Sequence, residues 1–397
     1  MIKKAANTDR WMMYFSIIDI LFLPYCFIIT VTYSFIPIIW WYENRKHVLS
    51  RTNKDFYMYK KMCFFLWIGA LVGIILDFNS TWNNISLTLQ FIVCFMRFYV
   101  FKYYFDTYGF ELKKILMAFA AFAALFALIF IYDIGLYFEL RRIWSPVQSS
   151  SDSEFITSII RYGFLWMDEN NIAYMMNAIM LFVICNEKSE LYEKLFVIAC
   201  TFLVVMCSMS RGGMLSFYTG LSFYMGLRLT GNGVKRTFKN KKMLVSILFC
   251  MIFCGALIKY APSYFQSEVA QNSRERLDDH ESDNRKAIYT KILTQAPFYQ
   301  YAIFGHGTNI TLNGKPIKPH SIHFYWIFAY GFIAYFYMMY IIFRKRKVTK
   351  WMEYIWIWPY FLGTTINIII GEEKAMSIGF LLLAASISPK YLKERRC

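Results

Sequence analysis

Three arginines and a small group of histidines are the residues of this chain best suited to handling a charged substrate. Arg211 sits in Ser210-Arg211-Gly212-Gly213, between two apolar runs. A guanidinium at such a junction can hold a phosphate through paired hydrogen bonds. The two glycines let another backbone approach closely and leave amide donors free. Arg285 opens Arg285-Lys286-Ala287-Ile288-Tyr289, an amphipathic stretch that reads as a helix lying against a membrane surface. His320 stands where a long polar segment gives way to the next apolar run. A histidine there can titrate near neutral pH, accept a proton or donate to a phosphate. His323 is one turn further and could share or replace that role. Each residue also has a plainer reading: an interfacial arginine at a helix end, a solvated loop charge, a structural histidine.

The remaining polar signals carry less. His306 in Gly305-His306-Gly307 reads as turn chemistry. Asp278-Asp279-His280 lies in a charged loop and reads as a solvated run, not a metal site. Of the nine cysteines, all but Cys397 sit in apolar runs, which is core packing and not a disulfide framework.

The elements that must hold these residues are membrane helices. Hydrophobic residues make up 57% of the 397, and charged residues only 17%. A soluble domain carries about a quarter charged residues. Apolar runs of about 20 residues recur along the chain, each able to cross a hydrocarbon core of roughly 30 Å. The expected fold is all-α, a polytopic membrane helical bundle of about 11–12 spans. A closed barrel is not expected, because the runs are continuous, not alternating. The net charge of +17 does not point to nucleic acid. The basic residues cluster in short loops, as the positive-inside rule requires. The first apolar run is too long for a signal-peptide core and has no small-residue cleavage site.

Taken in order, residues 1–260 form N-terminal membrane helices, 261–322 an outer loop, and 323–397 C-terminal helices with a basic tail. Residues 11–41, interrupted by Pro24 and Pro37, make either one tilted span or two short ones. Asp19 lies inside that run and is a functional candidate by default; its plainer reading is a hydrogen bond between helices. Arg97 is expected to snorkel toward the interface. The basic stretches 43–61, 102–114, 228–242 and 344–347 fall inside by charge bias. Arg161, Arg211, Arg285 and His320 then share the outer side. No internal repeat supports an inverted-repeat transporter. Tyr299, Tyr301, Phe324, Tyr325 and Trp326 could stack on sugar rings or form an interfacial aromatic belt, and the belt is the favoured reading.

At this point the chain resembles a known superfamily, the bacterial O-antigen polymerases and O-antigen ligases. Ser210-Arg211-Gly212-Gly213 is similar to its Ser-Arg-Gly-Gly signature. The order that follows is also similar: Arg285, Pro297, Gly305-x-Gly307, His320 and Gly331. The family usually has His-Asn where this chain has His320-Ser321. Upstream, Arg161-x-Gly163 and Asp168-Glu169-Asn170 resemble Arg-x-x-Gly and Asp-Pro-Asn elements, with Glu169 in place of proline. The resemblance covers about residues 158–331.

The resemblance implies a metal-independent glycosyltransferase of the C-type membrane fold, with no cofactor. Its donor would be a glycan on undecaprenyl pyrophosphate. Arg211, Arg285 and His320 would be the catalytic set, with the arginines on the pyrophosphate and His320 on the acceptor hydroxyl or a phosphate. Arg161, Asn170, Gly212, Gly213 and His323 would bind substrate. The implied activity is polymerisation of lipid-linked repeat units into surface polysaccharide, O-antigen or capsule, at the outer face of a bacterial inner membrane. Partners would be the lipid-linked glycans, the bilayer, and a chain-length regulator and flippase of the same pathway. A ligase transferring polymer to lipid A core is the alternative within the superfamily. A lipid-linked oligosaccharide flippase or other transporter is the alternative from another class.

Overall fold

The computed structural model describes residues 2–23, 53–108, 112–144, 161–164, 167–230, 290–291, 294, 303–307, 311–312, 315–316, 321–343, 355–357, 359 and 373–388; every contact below is among these residues. Arg285, His320, the Pro24–Pro37 part of the first apolar run and most of 261–320 lie outside them.

The described chain is helical, in the order α1 (Ile2–Phe22), α2 (Asn53–Leu76), α3 (Thr81–Tyr108), α4 (Leu112–Tyr132), α5 (Ile134–Trp144), α6 (Glu169–Ile184), α7 (Leu191–Ser208), α8 (Arg211–Thr230), α9 (Ile322–Phe343) and α10 (Glu373–Ile387). A two-residue antiparallel ladder, β1 (Thr311–Leu312) with β2 (Lys315–Pro316), lies between α8 and α9. Among the described residues, four helices are long and apolar enough to cross a membrane: Phe78–Thr107, Leu112–Tyr132, Leu191–Ser208 and His323–Ile341. This is the all-helical membrane bundle that composition predicts. The expected total of about 11–12 spans rests also on segments outside the described residues.

Short links make sequential helices antiparallel neighbours. Residues 77–80 join α2 to α3, 185–190 join α6 to α7, and 209–210 join α7 to α8. The turns therefore fall into two sets at opposite ends. One end carries the start of α4, the α6–α7 turn and the start of α7, closed by a Lys113–Glu193 ion pair at 2.7 Å. Lys102, Lys114, Lys188 and Lys194 are also toward that end. The opposite end carries residues 161–164, 167–168 and the Met209–Ser210 turn.

α6 is the central element of the second half of the bundle. Residues 171–184 are all buried, so this helix is enclosed on every side. It packs against α4, α7, α8 and α10. α4 packs against α7 and buries a set of small residues that includes Ala120, Ala123 and Ala127. Small residues let membrane helices approach closely. In the other half, α3 packs against α2 and α10, and α9 lies against α2.

Two expectations are corrected here. Arg97 does not snorkel. It is 2% exposed and pairs with Asp19, itself 1% exposed, at 3.3 Å. Its second terminal nitrogen donates to Ser377 Oγ at 2.9 Å. A carboxylate beside it inside the bundle gives the guanidinium a partner without reaching for the interface. Trp326 is not part of an interfacial belt either. It is fully buried, edge-on to Phe91 with ring centroids 4.9 Å apart.

α9 is broken at Gly331, where φ is 82° and ψ 169°. That region is essentially open only to glycine. The segment 303–307 lies along the break: His306 N donates to Phe328 O at 2.6 Å and Gly307 N to Ala329 O at 3.0 Å. A Cβ on Gly331 would run into the Ile303 carbonyl. The break has a second effect. Twelve residues of straight helix span about 18 Å, yet Tyr335 Oη and His323 Nδ1 lie 2.8 Å apart.

Candidate functional site

The four expected binding residues outside α9 meet at one junction: the extended segment 161–164, the start of α6 and the start of α8. Tyr162 fixes the segment between two helices. Its N–H donates to Cys207 O at 3.1 Å, and its hydroxyl to Ala123 O at 2.8 Å. The Tyr137 hydroxyl of α5 accepts from Gly163 N–H and donates to Gly163 O. The Arg141 guanidinium occupies the space that a side chain at position 163 would need. Glycine is therefore the residue that fits there, and the segment is held on both faces. This leaves Arg161 half-buried, with Nη2 3.5 Å from Glu169 Oε2.

The start of α6 is capped in the ordinary way. Asp168 accepts from Asn171 N–H at 2.6 Å. Burial raises this carboxyl to about 6, against the lowering effect of the Asn171 amide and the nearby Arg161 charge. Asp168, Glu169 and Arg161 thus put two carboxyl groups and one guanidinium at this helix end.

The start of α8 is built differently. Met209, with φ 46°, makes the left-handed reversal out of α7. The junction that the sequence puts at Ser210-Arg211-Gly212-Gly213 therefore turns at Met209 and Ser210, and the other three residues form the first helical turn. Ser210 caps it: its Oγ accepts from Gly213 N–H at 3.1 Å and donates to Asn170 Oδ1 at 2.9 Å. The helix gives the Gly212 amide no acceptor of its own. Gly213 serves close approach. A Cβ there would lie 2.5 Å from the Cβ of Ala173 on α6. Arg211 is exposed, and the first turn of α8 contains no acidic residue.

The two adjacent helix starts differ in charge. Both have the partial positive charge of a helix N-terminus. At α6 it is offset by Asp168 and Glu169. At α8 a guanidinium adds to it. An anion arriving from outside gains from Arg211, the helix dipole and the first-turn amides together.

Of the expected site residues, the structure brings together Arg161, Asn170, Arg211, Gly212 and Gly213. His323 stands at the start of α9, tied to Tyr335. Arg285 and His320 lie outside the described residues. Asn177 is a residue that sequence reasoning missed: its Nδ2 donates to Gly213 O at 2.8 Å. Its signal was an asparagine seven residues after Asn170, on the same face of an apolar helix.

Residues 196–339 match the family model described as O-antigen ligase. The match runs from within α7 through α8 and most of α9, and takes in Arg211, Arg285, His320 and His323. Arg161 and Asn170 precede it. It supports the O-antigen polymerase and ligase superfamily, and with it a membrane enzyme of polysaccharide processing. A search of curated proteins finds no match.

Proposed function

We propose, from the place of residues 196–339 in the O-antigen polymerase and ligase superfamily, that this protein is an oligosaccharide repeat-unit polymerase. It transfers a glycan from undecaprenyl pyrophosphate to a second lipid-linked repeat unit, at the outer face of a bacterial inner membrane. Residues 261–322 are the outer loop that closes over the site. The observation that carries the reading is the positive start of α8: exposed Arg211, no acid in the first turn, and a Ser210 cap locked to Asn170.

In this reaction the acceptor hydroxyl oxygen bonds to the anomeric carbon as the bond from that carbon to the pyrophosphate oxygen breaks. Negative charge grows on the departing diphosphate. Arg211 and Arg285 supply the opposing charge, with the α8 N-terminus behind Arg211. The hydroxyl proton passes to His320 or to a phosphate oxygen. His323 has one ring nitrogen engaged by Tyr335, which favours His320 as the mobile partner. Arg161, Asn170 and the two glycines shape the rim that receives the donor.

The ligase reading is favoured by the description of the matching family. The transporter reading draws little from the interior, where Asp19 is matched by Arg97. The test is purified protein in lipid with synthetic undecaprenyl-pyrophosphate repeat units, followed by gel analysis. A ladder of lengthening glycans, lost in Arg211→Ala, is expected. A single product on added lipid A core, with no ladder, would make it a ligase. The absence of both products would overturn the enzymatic reading.

A further inference from the structure

We infer that Asn177 is a positioning residue for Arg211, acting from two turns below the rim; this rests on the reading of Arg211 as the diphosphate-holding arginine. Asn170, Ala173, Asn177 and Leu181 share one face of α6 at helical spacing. That face meets α8 through its smallest residues. A Cβ on Gly213 would meet Ala173, and one on Gly220 would lie 2.8 Å from Leu181 Cδ1. Two hydrogen bonds cross this seam. Ser210 Oγ to Asn170 Oδ1 is at the cap, and Asn177 Nδ2 to Gly213 O is one turn deeper. Arg211 lies between these two fixed points.

Packing alone does not account for an asparagine here. Asn177 is 0% exposed, and its Oδ1 has no hydrogen-bond partner among the described residues. An amide half satisfied in an apolar seam is a poorer filler than an apolar side chain branched in the same way. What the amide adds is a grip on one carbonyl in the first turn of α8. Gly212 and Gly213 have no side chains to resist sliding or rotation of that turn. The Asn177 bond supplies the resistance, and so fixes the direction in which the Arg211 guanidinium leaves the helix. Misplacement of a catalytic group by about 1 Å can cost on the order of 100-fold in rate.

The experiment compares Asn177→Leu, Asn177→Ala, Ser216→Ala and Arg211→Ala in purified, lipid-reconstituted full-length protein. It measures glycan transfer, the KM for the lipid-pyrophosphate donor and the thermal midpoint. Ser216 is a buried hydroxyl in the same helix, one turn from Gly213, and serves as the seam control. Asn177→Leu is expected to lower kcat at least tenfold, with KM within twofold and the midpoint equal to or above that of the parent. Ser216→Ala should keep parental turnover. If Asn177→Leu does not fold, Asn177→Ala is read by the same criteria. Parental turnover in the Asn177 variants, or a fall in turnover that only follows a fall in midpoint, overturns the inference. If Arg211→Ala also keeps parental turnover, it is the reading of Arg211 that has failed; if Arg211→Ala is inactive and Asn177→Leu is not, only the role of Asn177 has failed.

Discussion

Arg97 and Arg211 carry the same side chain in two settings. Arg97 lies along α3, 2% exposed, against Asp19 of α1 and Ser377 of α10. Arg211 is the first residue of α8, exposed, on a turn with no acid. In the first setting the charge is matched within the chain, and the match ties three helices distant in sequence. In the second the nearest helix dipole has the same sign as the guanidinium. A buried matched charge holds parts of a protein together, whereas an exposed charge on a helix start that carries no acid is suited to an external anion. The difference lies in what each arginine faces, not in the arginine.

The largest effect should come from unmatching the buried pair. Arg97→Ala leaves Asp19 as a buried carboxylate without its counter-charge, which costs about 3–5 kcal/mol. A thermal midpoint lowered well below that of the parent in lipid is expected. Replacing both partners by apolar residues of similar size, Asp19→Leu with Arg97→Met, should recover much of the loss. A double variant as unstable as Arg97→Ala would mean that the pair does more than cancel charge.

Arg211→Ala should show the opposite pattern. Its exposed side chain contributes little to folding, so the midpoint should stay near the parent. Transfer should fall about 100- to 1,000-fold, the usual cost of removing one donor to a developing oxyanion. Equal losses of stability in Arg97→Ala and Arg211→Ala would erase the contrast between the two regions.

Much of this contrast was legible in the sequence, though unevenly. Continuous apolar runs gave the helical membrane class, and charge bias put Arg161 and Arg211 at one end. Ser210-Arg211-Gly212-Gly213 marked the start of α8, although its reversal falls at Met209, where no glycine signals a positive φ. The Asp19–Arg97 pair could not be read, because 78 residues separate its members and local pattern says nothing of partners so remote. The Asn177–Gly213 bond was hidden for the same reason, with 36 residues between the partners. The break at Gly331 was marked only by the glycine itself. Its consequence, the contact of His323 with Tyr335, depends on a backbone angle that sequence does not give.

The two helix starts themselves can be separated by pH. Asp168 at α6 has its carboxyl raised from 3.8 to about 6, chiefly by burial. The folded chain therefore takes up this proton more readily than the unfolded chain does. The resulting stability is fully present below about pH 4 and is lost as the pH rises through 6. The span is on the order of 2–3 kcal/mol. Asp168→Asn should flatten that part of the stability–pH curve and raise the midpoint at pH 7. An unchanged slope between pH 4 and 6 would show that Asp168 is not held in the buried state found here.

The smallest effect belongs to the link between the two starts. Ser210→Ala removes the acceptor of the Gly213 N–H and the donor to Asn170 Oδ1 in one step. Loss of an N-cap hydroxyl costs about 1 kcal/mol of stability. If the cap were only local, transfer would follow that small change. The bond to Asn170 makes Ser210 one of the two fixed points around Arg211, so transfer should fall several-fold further than the midpoint alone accounts for. Ser210→Thr keeps a hydroxyl and should restore both, unless its added methyl strikes the Gly213 turn. The outcome is read from the ratio of lost transfer to lost stability, which should be larger for Ser210→Ala than for Arg97→Ala. That ordering follows from geometry: Ser210 borders the charge offered to the substrate, while Arg97 is bound to a charge the protein keeps inside.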